Sequence, residues 1–113
     1  MPLVSFDAHE AVVAAFQVPY ADRYQIIREH EASHLVARDT GLGISRTSHL
    51  ALIQVVTRPR SREAKQTFYR LLTEKLEAAC GIAPSGVIVS LVVNSDEDWS
   101  FGLGRARFLT GEL

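Results

Sequence analysis

The fold is decided by residues 50–93, LALIQVVTRPRSREAKQTFYRLLTEKLEAACGIAPSGVIVSLVV, in which an amphipathic segment lies between two apolar ones. The first apolar segment, Leu50 to Thr57, is nearly continuous, as is typical of parallel strands that are buried on both faces. The second, Gly86 to Val93, has the same character. Because parallel strands need a long crossover between them, the segment that joins these two is predicted to be a helix packed on their sheet.

The joining segment carries the signals of both helix ends. Ser61 is a preferred N-cap residue, and Gly81 suits the left-handed position that follows many helices. Between them, apolar residues recur at helical spacing in a stripe that only Lys75 interrupts. The stripe consists of Ala64, Phe68, Leu71, Leu72, Leu76 and Ala79. Residues 50–93 are therefore predicted to form one β-α-β unit.

The amino-terminal half is predicted to repeat this arrangement. Residues 2–6 alternate like a strand, residues 8–16 have helical spacing, and residues 23–28 resemble a second strand. Two tandem β-α-β units predict an α/β (α+β) fold in which a four-stranded mixed sheet is backed by two helices. The whole chain, residues 1–113, is then a single domain.

The first crossover is unusually short. It lies between Phe6 and Tyr24, and a crossover needs at least about ten to twelve residues. Either the first helix is truncated or a stretch of sequence is missing there. Since the central strands are apolar on both sides, the sheet face away from the helices needs a cover, which copies of the same chain supply most simply.

Composition and charge exclude several classes of function. The chain has 113 residues, 47% of them hydrophobic, and a formal net charge of -1. This balance disfavours nucleic acid and anionic membranes as partners. The apolar runs are far shorter than the roughly 20 residues that cross a bilayer, and we find no signal-peptide pattern. With a single cysteine, which cannot form an intrachain disulfide, the expected location is the cytoplasm.

Pro2 and the arginine pair are the first candidates for chemistry. Removal of Met1 would leave Pro2 with a secondary amine, which is both a base and a nucleophile toward carbonyls, although many proteins begin Met-Pro for processing alone. Arg58 and Arg60 follow the strand at the end where α/β sheets bind anions. They suit bidentate binding of a carboxylate, and the alternative is that they are solvated surface charges.

The remaining candidates are weaker by themselves. Asp22 precedes the second predicted strand and is either an orienting carboxylate or a turn residue. Residues 96–105 contain the only tryptophan and form either an ordinary hairpin or an apolar wall for a ligand. The four histidines lack metal-ligand spacing with Cys80 or the carboxylates, so no metal site is expected.

Taken together, these features resemble the malonate semialdehyde decarboxylases of the tautomerase superfamily, whose members begin with a catalytic proline and are built from β-α-β units. The resemblance covers most of the chain. It rests on Pro2, Val18-Pro19, Asp22 to Gln25, Asp39 to Ile44, Arg58, Arg60, Asp98 to Gly102 and Phe108 to Gly111. The departure from the family is the short first crossover, which removes none of the matched catalytic positions.

The resemblance implies a role for each matched residue. The implied catalytic residues are Pro2, Asp22, Arg58 and Arg60. The two arginines would also bind the substrate, in a pocket completed by Trp99, Phe101, Phe108 and Leu113. The resemblance implies no cofactor, a small carboxylate as substrate, and a homotrimer.

The implied activity is decarboxylation of a small 3-oxo acid, from malonate semialdehyde to acetaldehyde and carbon dioxide. The arginines would hold the carboxylate while Pro2 accepts the developing charge. Two alternatives stay open. One is a hydratase or dehalogenase that acts on 3-substituted acrylic acids with nearly the same residues. The other is a non-catalytic trimeric binding protein, which would follow if Met1 is retained and blocks Pro2.

Overall fold

The computed structural model describes residues 2–31, 33–38, 41–46 and 49–111. In these ranges the helices and strands are α1 (Pro2–Phe16), β1 (Ala51–Thr57), α2 (Arg62–Cys80), β2 (Val87–Val93) and α3 (Arg107–Thr110). Single 3-10 turns at Pro84–Gly86 and Asp96–Asp98 precede and follow β2.

The β-α-β unit predicted from residues 50–93 is confirmed. Strands β1 and β2 are parallel, with Thr57 opposite Val93, and α2 is the crossover between them. Helix α2 is capped as predicted, because Ser61 Oγ accepts a hydrogen bond of 3.0 Å from the Ala64 amide. At its other end Gly81 has a φ of 68°, a left-handed conformation that glycine adopts without steric cost.

Helices α1 and α2 lie antiparallel and form the core with the inner face of the sheet. At one end the rings of Phe16 and Phe68 lie 5.2 Å apart, and at the other Cys80 Sγ lies 3.7 Å from Asp7 Oδ2. The largest fully buried side chains are Phe68, Leu72, Leu76 and Ile82. Burying a side chain of this size stabilises the fold by about 1.5–3 kcal/mol. The core thus depends on α2.

The prediction of a strand over residues 2–6 is wrong, because these residues are the first part of α1. A strand there and a helix from residue 8 would leave only Asp7 to reverse the chain, whereas such loops usually need about two to six residues. A continuous helix avoids this reversal and lets Ala11 become completely buried against the core.

The prediction of a strand over residues 23–28 is also wrong. This segment carries no strand pairing, and the sheet of the described residues has two parallel strands rather than four mixed ones. With residues 2–6 helical, the strand that was predicted to belong with this segment in the first β-α-β unit is absent. Ile26 and Ile27 consequently remain 84% and 57% exposed.

The sheet face away from the helices is open. Side chains alternate between the two faces of a strand. On β1, Ile53 and Val55 pack against the core. Leu52 and Val56 face outward and are 50% and 51% exposed. Val92 on β2 is likewise 50% exposed. The described part of the chain contains no helix with the length and apolar content needed to cross a membrane.

Candidate active site

Arg60 lies where the end of β1 meets the end of α1. Its Nε donates to Thr57 Oγ1 at 3.0 Å, and its Nη1 donates to the carbonyl oxygen of Phe16 at 3.4 Å. Burial lowers the pKa of Arg60, the positive charge of Arg58 lowers it further, and the carboxylate of Asp22 opposes both effects. The two arginines and the aspartate are therefore close enough to share one electrostatic environment.

Arg58 lies between an acidic side chain and an aromatic ring. Its Nη1 is 3.0 Å from Asp96 Oδ1, and its Cζ is 3.8 Å from the centre of the Phe108 ring, within cation–π range. The partners of this ion pair are 38% and 51% exposed, so solvent screens the attraction and the pair contributes little. A ligand carboxylate can compete with Asp96 for this guanidinium.

Four rings beside Arg58 form a continuous aromatic cluster, which consists of Tyr24, Trp99, Phe101 and Phe108. The Phe101 ring is stacked against Trp99 at 5.2 Å and against Tyr24 at 5.7 Å, and it meets Phe108 edge-on at 5.4 Å. Trp99 Nε1 donates to Asn94 Oδ1 at 2.7 Å, which holds the indole just after β2. The cluster gives the arginine pair an apolar wall.

The turn after β2 directs the chain toward this cluster. The Ser95 amide and Ser95 Oγ both donate to Asp98 Oδ2 at 2.8 Å. These hydrogen bonds favour the ionised carboxyl and lower the pKa of Asp98. This capped turn fixes the position of the backbone at Trp99, the residue that follows it.

Six of the predicted site residues lie together at this end of the molecule. They are Asp22, Arg58, Arg60, Trp99, Phe101 and Phe108. Leu113 lies outside the described residues. Tyr24 was not predicted as a site residue, although it lies two residues after Asp22, a spacing that puts side chains on the same face of a strand.

Pro2 does not lie with the arginine pair of its own chain. It begins α1, and 15 helical residues at 1.5 Å per residue place it about 21 Å from Phe16, which Arg60 contacts. Since the helices are antiparallel, Pro2 belongs to the end of the molecule where α2 finishes, beyond the contact between Asp7 and Cys80. No cluster of three His, Cys, Asp or Glu side chains suited to a metal occurs in the described ranges.

A family model described as tautomerase enzyme matches residues 22–102. The chain is also 50% identical to the probable tautomerase YrdN of Bacillus subtilis (strain 168), over the full length of both proteins. The chain belongs to the tautomerase superfamily. The alignment of this tautomerase-superfamily chain with YrdN spans 129 positions against 113 residues here, so 16 positions have no residue in this chain.

Two solved malonate semialdehyde decarboxylases share the fold of this tautomerase-superfamily chain. One, described with its decarboxylase and hydratase activities, is 54% identical with a TM-score of 0.94, covering 99% of this chain and 87% of that one. The other, the FG41 enzyme inhibited by 3-bromopropiolate, is 38% identical with a TM-score of 0.93, covering 99% and 86%. The resemblance inferred from the sequence is confirmed.

Proposed function

We propose that this chain is a cofactor-free decarboxylase that converts malonate semialdehyde, a small 3-oxo acid, to acetaldehyde and carbon dioxide. The observation that carries the proposal is the pair Arg58 and Arg60 at the end of β1, with the aromatic cluster beside Arg58. The likeness to a malonate semialdehyde decarboxylase, at 54% identity, supports the same substrate class.

The arginines account for recognition of the carboxylate. A guanidinium binds a carboxylate through parallel N–H donors, which fix its plane as well as its position. Holding the carboxylate out of the plane of the 3-oxo group, by rotation about the bond between C2 and the carbonyl carbon, aligns the breaking carbon–carbon bond with the carbonyl π system. The apolar wall favours the loss of charge as the carboxylate leaves as neutral carbon dioxide.

The electron pair of the broken bond needs an acceptor. Removal of Met1 would free the amine of Pro2, which can act in either of two ways. In its protonated form it donates a hydrogen bond to the 3-oxo oxygen, and in its neutral form it condenses with the carbonyl to an iminium with loss of water. The enol then takes a proton on carbon and becomes acetaldehyde, whereas the enamine takes a proton on carbon to give an iminium, which water hydrolyses to acetaldehyde and the free amine.

Because α1 holds Pro2 far from Arg60 of its own protomer, the proposed active form takes the amine from a neighbouring copy in a homotrimer. The outward side chains of Leu52, Val56 and Val92 offer the apolar surface on which copies would associate.

The deciding experiment is an assay of acetaldehyde release from malonate semialdehyde by the purified full chain. Turnover that is lost in Arg60→Ala and kept in Arg70→Ala supports the proposal, because Arg70 is exposed on α2 and pairs only weakly, at 3.5 Å, with Glu74. Absence of turnover by a wild-type chain that is shown by intact mass to have lost Met1 would refute it.

A second candidate is a carboxylate-binding protein without turnover. The position of Pro2 at the far end of α1 favours it, since one protomer then has a carboxylate site without an amine. Calorimetric binding of malonate, a non-reacting analogue, by a chain that releases no acetaldehyde would select this candidate.

A hydratase or dehalogenase acting on 3-substituted acrylic acids is the third candidate. The electrostatic effect of the Asp22 carboxylate on Arg60 supports it, because a carboxylate near the arginine pair is the group that would activate water. Turnover of 3-chloroacrylate that exceeds decarboxylation would select it.

A further inference from the structure

Three polar side chains join the start of α1 to the extended segment after it. Arg23 Nη2 donates to Ser5 Oγ at 2.6 Å, and Ser5 Oγ donates to Gln25 Oε1 at 2.6 Å. Arg23 Nε also donates to Gln25 Oε1, at 2.8 Å, and Gln25 Nε2 donates to the Ser5 carbonyl oxygen at 3.1 Å. We call this closed set, Ser5, Arg23 and Gln25, the Ser5 clasp.

The clasp determines which way the neighbouring side chains point. Arg23 and Gln25 both reach Ser5 on α1, whereas Tyr24, which lies between them in the sequence, turns to a different part of the molecule. There Tyr24 stacks on Phe101 at 5.7 Å with planes 22° apart. The carboxylate of Asp22 acts there on Arg60.

Burial does little to hold Tyr24 in this position. Its side chain is 72% exposed, although its ring is part of the aromatic cluster. Ser5, by contrast, is only 7% exposed, so the clasp is anchored in the packed part of the molecule. The exposed ring of Tyr24 thus lies between two residues that are hydrogen-bonded to the buried Ser5.

We propose that the Ser5 clasp is a positioning device for the carboxylate site, which places Tyr24 in the wall of the site. The inference rests on the proposed function for its ligand, a small carboxylate. The clasp residues act through Tyr24 and do not themselves contact the ligand.

The first test uses the unliganded protein. Trp99 is the single tryptophan and stacks on Phe101, so acrylamide quenching of its fluorescence reports on the packing of the cluster. Ser5→Ala should raise the quenching constant toward that of Tyr24→Leu, and Ser5→Thr, which keeps the hydroxyl, should return it to the wild-type value. Thr73→Ala is the matched control, since it loses a hydroxyl hydrogen bond of 2.7 Å to Tyr69 on α2.

The second test measures binding of malonate by calorimetry. Ser5→Ala should raise Kd about 2- to 10-fold, the measure of one lost aromatic contact. In a Tyr24→Leu background, Ser5→Ala should raise Kd hardly any further, because both substitutions remove the same contact, that of the Tyr24 ring. Thr73→Ala should bind as the wild type does.

The outcomes separate this inference from the proposed function. The positioning role is overturned if Ser5→Ala has the quenching constant of the wild type, whether or not malonate binds. It is also overturned if the effects of Ser5→Ala and Tyr24→Leu on Kd are fully additive. Failure of the wild type to bind malonate, or unchanged binding by Arg58→Ala, overturns the carboxylate site itself, and the quenching experiment then still decides whether the clasp holds Tyr24.

Discussion

Arg60 Nη1 donates a hydrogen bond of 3.4 Å to the carbonyl oxygen of Phe16, the last residue of α1. The carboxyl end of a helix is negatively polarised and attracts a cation. This contact fixes the finish of α1 at the candidate site and therefore its start, Pro2, at the opposite end. An active site that uses both groups must therefore bring the amine of Pro2 and the guanidinium of Arg60 together from different copies of the chain.

We expect the protein to be a homotrimer in solution, because the outward face of the sheet is apolar. Analytical ultracentrifugation should show a trimer for the wild type and smaller species for Leu52→Lys, whose side chain lies on that face and is 50% exposed. Ile26→Lys, at an 84% exposed position outside the sheet, is the control and should stay trimeric. A wild-type monomer at micromolar concentration would contradict this expectation.

Pro2→Ala should greatly reduce decarboxylation with little change in the thermal unfolding midpoint, since the secondary amine is lost and the core residues are untouched. Mixed trimers of Pro2→Ala and Arg58→Ala chains, refolded together, should recover activity that neither variant has alone. Recovery is expected only if the amine and the arginines of one site come from different copies. Full activity of Pro2→Ala alone would remove the amine from the mechanism.

Arg58→Ala and Arg60→Ala should each lower kcat/KM by about 10² or more, the effect of a lost charge-assisted contact in the transition state. Lysine at either position should restore only part of the loss, because it keeps the charge without the planar fork. Steady-state kinetics with malonate semialdehyde measures both effects. Wild-type rates in the alanine variants would make these arginines ordinary surface charges.

Asp22→Asn should impair addition of water to an acetylenic or halogenated three-carbon acid more than it impairs decarboxylation, which consumes no water. The substitution preserves shape and removes the charge that acts on Arg60. Both activities are measured on the same preparation of the variant. Equal losses in the two reactions would indicate that Asp22 sets the state of the other charged groups instead of activating water.

The environment of Trp99 should change at acidic pH. The pKa of Asp98 is lowered by hydrogen bonds from Ser95, so its carboxylate stabilises the turn fully above the usual unfolded value of about 3.9 and loses this effect as the pH falls through the lower folded value. Trp99 emission followed from pH 6 down to about 2 measures this change. Asp98→Asn is expected to flatten the profile, and an unchanged acid transition in that variant would assign it to another group.

The β-α-β unit of residues 50–93 was predictable because several local signals agree within it. Ser61 can cap only the helix that follows it, and Gly81, which has no Cβ atom, adopts the left-handed conformation at the helix end without strain. The continuous apolar runs on either side then require a parallel pair. The arginine pair follows from the same pattern, since it directly succeeds the first strand.

The arrangement of the amino-terminal half was decided by the tertiary structure. Alternation over residues 2–6 is too short a signal to outweigh the packing of one long helix on α2, and a single residue between strand and helix leaves no room to turn. Once α1 starts at Pro2, the segment at 23–28 loses its strand partner, and the Ser5 clasp holds it instead. The sequence alone determined which side chains carry charge or an aromatic ring. The packing of α1 decided which of them lie together, because it puts Tyr24 against Phe101 and Pro2 at the opposite end from Arg60.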